Sequence, residues 1–102
     1  MAPKTKTLKT KRWDVAAQLD TPQRIALYLE AAFEDGDPAL ISAAIGDAAK
    51  AYGMTRLAKK TGLAREALYR ALSDDGNPEF TTVLKVLQAF GLRLSPVEHE
   101  TA

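Results

Sequence analysis

The stretch Met54-Thr55-Arg56-Leu57-Ala58-Lys59-Lys60-Thr61-Gly62-Leu63-Ala64-Arg65-Glu66-Ala67-Leu68-Tyr69-Arg70-Ala71-Leu72 fits a tight bihelical unit, with short helices predicted over 54–60 and 64–72. Leu57, Leu63, Leu68 and Leu72 supply an apolar wedge beneath both helices. Gly62 permits the positive φ of a sharp turn, and Ala58 is small where the second helix must cross the first at close range. A larger residue at 58 or 62 is expected to break the unit. With those positions buried, Thr55, Arg56, Lys59 and Lys60 face outward from the first helix, and Arg65, Glu66, Tyr69 and Arg70 from the second.

The charge distribution singles out the same stretch. The whole chain of 102 residues carries only +1, but residues 1–12 hold +5, residues 13–52 hold −5, residues 53–72 hold +4 and residues 73–102 hold −3. A compact basic block therefore sits inside an acidic body.

Working outward, three capping residues are each followed by proline: Thr21-Pro22, Asp37-Pro38 and Asn77-Pro78. The side-chain oxygen can accept from an unpaired first-turn amide, and proline loses a hydrogen bond it would not have made. After Thr21, the series Ile25, Tyr28, Leu29, Ala32 and Phe33 lies on one helical face until Asp35-Gly36. After Asp37, the series Leu40, Ile41, Ala44, Ile45, Ala48 and Tyr52 does the same, and Gly53 ends it. Trp13, Ala16 and Leu19 predict one or two helical turns opening at Asp14. A last helix, starting at Asn77 or Thr81, carries Phe80, Val83, Leu84, Leu87 and Phe90 and stops at Gly91. Leu92-Arg93-Leu94 alternates as an extended segment does, and could pair across a dimer axis or pack on the last helix. The expected organisation is a flexible basic tail over 1–12, a helical domain over 13–95 and a C-terminal tail over 96–102.

Several function classes find no support. The chain has no cysteine, and its one histidine is His99 near the end. A positioned nucleophile, base or metal is thus missing, which argues against an enzyme, and no cofactor is expected. Ser73-Asp74-Asp75-Gly76-Asn77 has adjacent rather than alternating acids and reads as a polar turn, not a calcium loop. There is no glycine-rich phosphate loop. No apolar run approaches the roughly 20 residues a membrane helix needs, so no membrane partner is expected and the cytoplasm is the expected location.

The basic bihelical unit is expected to be a helix-turn-helix that binds double-stranded DNA. Arg65, Glu66, Tyr69 and Arg70 would face base edges in the major groove, while Thr55, Arg56, Lys59 and Lys60 would hold phosphates. The plainer reading is two helices joined by a glycine turn, with bases on the wet side. The coincidence of wedge, turn and basic block favours DNA.

The run Thr61 to Ser73, continued by Asp75-Gly76-Asn77-Pro78 and Thr82-Val83-Leu84-Lys85-Val86-Leu87, with Tyr28-Leu29-Glu30-Ala31-Ala32 and Asp37-Pro38 upstream, resembles addiction-module antidote proteins, a HigA-like branch of the Xre/Cro repressors. The resemblance covers roughly residues 13–95. It departs at Ala64, where the family usually carries a serine or threonine cap. It implies an all-α, lambda-repressor-like domain of five or six helices with a short N-terminal helical extension. It also implies the antitoxin of a type II toxin-antitoxin module, a transcriptional repressor of its own operon. Such a protein works as a homodimer on a pseudo-palindromic operator, with half-sites roughly 34 Å apart, and neutralises a RelE/ParE-type toxin. A stand-alone, phage-like repressor without a toxin would share the DNA surface. Glu30, Glu34, Asp35 and Asp37 form the densest acidic cluster; they could meet a basic toxin or be a solvated helix end. The lysines at 4, 6, 9 and 11 could follow the DNA backbone or serve solubility alone.

Overall fold

The computed structural model describes residues 18–73 and 75–99. Among these the chain is all-helical, with no strand. Five helices follow one another: α1 (Pro22–Asp35), α2 (Pro38–Tyr52), α3 (Met54–Thr61), α4 (Arg65–Ala71) and α5 (Phe80–Ala89). The basic start and the turns predicted at Asp14, with Trp13 and Ala16, lie outside the described residues, whereas Leu19 is buried in the core.

The first two starts follow the cap-proline rule. Thr21 Oγ1 accepts from the Arg24 N–H at 3.2 Å, and Asp37 Oδ1 from the Ala39 N–H at 3.1 Å. Each such cap stabilises its helix by about 1 kcal/mol. Gly36, with φ +86, closes α1 by donating to the Ala32 carbonyl. Gly53 ends α2 and is the one residue between α2 and α3, so the chain turns there without a loop.

The third expected start is corrected. Asn77-Pro78 opens no helix: Glu79 is still extended, and α5 begins at Phe80, just before the alternative start at Thr81, with no side-chain cap. Thr81 is already inside the first turn. At the other end, Gly91 (φ +85) donates to the Gln88 carbonyl and Leu92 to that of Leu87. Within the single chain Leu92-Arg93-Leu94 forms no strand, and Leu92 packs on the core.

The core gathers Ile25, Leu29 and Ala32 from α1, Ala44, Ile45, Ala48 and Ala49 from α2, Leu57 from α3, Leu68 from α4, and Val86 and Leu87 from α5. The expected inward faces are thus largely right. Leu40 is an exception at 44% exposed, because the buried run of α2 begins only at Ala44. Phe80, at the mouth of α5, is 66% exposed. α1 packs chiefly on α2, α2 on α3, and α3 on both α4 and α5. No helix among the described residues is long and apolar enough to cross a membrane.

Candidate nucleic-acid interface

The basic stretch folds as two short helices, α3 and α4, separated by Gly62, Leu63 and Ala64. Gly62 is left-handed at φ +75 and donates to the Ala58 carbonyl at 2.9 Å. Thr61 adds a device that spacing did not suggest: its hydroxyl donates to the Leu57 carbonyl at 2.8 Å and accepts from the Leu63 N–H at 3.2 Å. One short side chain thus ties the end of α3 to the turn. Leu57, Leu68 and Leu72 are buried as the wedge requires, and Leu63 is half-buried against them.

α4 is also fixed from its far end. A Cβ placed on Gly46, in the middle of α2, would stand 2.7 Å from the Leu72 carbonyl oxygen. Only a hydrogen fits there, so α2 and the end of α4 approach backbone to side-chain-less backbone. Beyond it, a Cβ on Gly76 would fall within 3 Å of the Ala71 and Arg70 carbonyl oxygens. Gly76, whose N–H donates to the Ser73 carbonyl at 2.9 Å, is therefore pressed against the end of α4.

With both ends held, Thr55, Arg56, Lys59 and Lys60 on α3 and Arg65, Glu66, Tyr69 and Arg70 at α4 are all exposed. Among the described residues none of the five bases in this set is in an ion pair. Their charge is uncompensated and faces solvent. Two arginines are oriented by tyrosines. The Arg56 guanidinium lies 4.1 Å from the Tyr52 ring centroid, and that of Arg65 lies 5.4 Å from the Tyr69 ring, with a 3.5 Å bond to its hydroxyl. Tyr69 also lines a cleft of about 290 Å³, together with Asp47 and Lys50 of α2. α4 starts at Ala64 without a side-chain cap.

The acidic residues are elsewhere. Glu30, Glu34 and Asp35 are exposed on the second half of α1, and Asp37, also exposed, is already engaged in capping α2. Leu27, 66% exposed, stands on the same face of α1, one turn before Glu30 and Ala31. Sequence reading also passed over Asp47. Asp47 is 5% exposed within α2, and its Oδ2 accepts from the Tyr28 hydroxyl at 2.8 Å, linking α1 to α2.

The class defined by these features is an all-helical domain that displays an uncompensated basic pair of short helices. Residues 9–98 match the family described as "Probable addiction module antidote protein", and the chain belongs to it. A protein of Haemophilus influenzae described as uncharacterized is 42% identical over 87 residues, covering 85% of this chain and 90% of that protein. No solved structure matches the chain significantly. Membership makes the chain the antidote of an addiction module, whose counterpart is a toxin.

Proposed function

We propose that this antidote is the antitoxin of a type II module that binds operator DNA through α3 and α4, acting as a helix-turn-helix of the HigA-like, Xre/Cro kind. The observation that carries the reading is the exposed set on those helices, five bases without a described acidic partner against the single acid Glu66. Arg65, Glu66, Tyr69 and Arg70 read bases, and Thr55, Arg56, Lys59 and Lys60 hold phosphates. The protein acts in the cytoplasm as a homodimer on a pseudo-palindromic operator and represses its own operon. Its toxin is of the RelE/ParE type and is met by the acidic surface of Glu30, Glu34, Asp35 and Asp37.

The test is binding to duplex DNA from upstream of its own gene. Nanomolar-range affinity that falls steeply with salt is the expected result. Replacing Arg65 and Arg70 by alanine is expected to remove the preference for that sequence; unchanged affinity in the folded variant would overturn the assignment of α4. Co-expression with the adjoining gene, scored by growth and co-purification, tests the toxin partner. A neighbour that is neither toxic nor bound would leave a stand-alone repressor.

A further inference from the structure

We infer that Tyr52, which lies outside the eight residues assigned to DNA, is a positioning residue that holds the Arg56 guanidinium ready for a DNA phosphate. The inference rests on the DNA-binding reading and adds how one phosphate contact is prepared. Arg56 stands in the first turn of α3, where the partial positive charge of the helix terminus disfavours a cation. No described acid draws it there. Its guanidinium instead lies over the Tyr52 ring, 4.1 Å from the centroid. That ring meets Phe90 edge-on, with centroids 5.3 Å apart and planes at 64°, and Phe90 is buried. The charge is thereby tied to the core through two rings.

The backbone makes this possible. Gly53, at φ +103, is the one residue between Tyr52 and α3, and its Cβ position would lie 3.8 Å from that of Arg56. The turn brings the last side chain of α2 beside the first turn of α3. Stacking occupies one face of the guanidinium and leaves its N–H edge for an anion. A long side chain already confined in this way loses less freedom on binding than a free one. Lys59 and Lys60 have no such ring beneath them among the described contacts. Arg65 is paired with Tyr69 at a longer 5.4 Å, within its own helix and with the ring itself exposed.

The experiment measures binding of the full chain to the upstream duplex by fluorescence anisotropy across a salt series. Arg56→Ala is expected to reduce the slope of log affinity against log salt by about 0.9, the loss of one phosphate. Tyr52→Leu is expected to weaken binding roughly two- to ten-fold, Tyr52→Phe to restore it, and Tyr52→Leu to add nothing in the Arg56→Ala background. Arg56→Lys, which keeps the charge and touches no core residue, is expected to weaken binding as Tyr52→Leu does. Equal losses from Tyr52→Leu in both backgrounds, or wild-type binding by Arg56→Lys, would overturn the positioning role and leave the DNA reading standing. Wild-type protein that shows no salt-dependent binding would remove both.

Discussion

Alanine at position 62 meets nothing within 4 Å, so its whole cost is a left-handed backbone at φ +75. We expect Gly62→Ala to destabilise by about 1–2 kcal/mol, seen as a melting point several degrees lower, with the fold kept. The same melt tests the expectation that a larger residue there breaks the unit. Gly46→Ala is different, because the new methyl would stand 2.7 Å from the Leu72 carbonyl oxygen and one of two backbones must move. It should cost more than Gly62→Ala in the same melt; an equal or smaller cost would show that the seam yields freely. Tyr28→Phe removes a hydroxyl that donates to the buried Asp47, one of the contacts that hold these side chains, with an expected loss of about 0.5–1.5 kcal/mol. Gly62 was legible in the sequence because it interrupts two apolar periodicities. Gly46 and Asp47 were not, since both sit inside an uninterrupted helical run and their meaning depends on what another element brings to them.

Helix ends were legible where local chemistry alone decides them. Thr21 and Asp37 cap as read, and Gly36 and Gly53 stop α1 and α2. For α5 the sequence offers Asn77 or Thr81, and the helix begins at Phe80; Asn77-Pro78 carries the same local signature as the two pairs that do open helices, so the pair alone does not decide the start. α4 is the shortest helix, seven residues opened by Ala64 with no side-chain cap. Ala64→Ser should stabilise the protein by about 0.5–1 kcal/mol; calorimetry that shows no gain would mean that the Gly62–Ala64 turn leaves the hydroxyl out of reach of the first amides. On the proposed DNA surface, Arg65→Ala and Arg70→Ala should each lower affinity for the upstream duplex by about 1–3 kcal/mol with an unchanged melting point. Loss of stability alongside affinity would move them from recognition to structure.

Across the whole molecule, charge sorts by element. The acids crowd α1 and the start of α2, while the bases lie on α3 and α4, and α1 packs chiefly on α2. If the toxin meets the acidic end, Glu30→Lys with Glu34→Lys should abolish rescue of growth from the co-expressed toxin while DNA binding persists. Retained rescue would place the contact elsewhere. This sorting was visible in the sequence because charge runs follow the chain, but the employment of Asp47, which accepts from Tyr28 across two helices, was not. The seam at Gly46 carries a last consequence. It grips α4 by its tail, at Leu72, while the side chains at 65, 66, 69 and 70 take no part in that grip. The lettering on such a key can be recut without disturbing its shank. A library randomised at those four places should yield mostly folded members, and a new address could arise by a handful of exchanges.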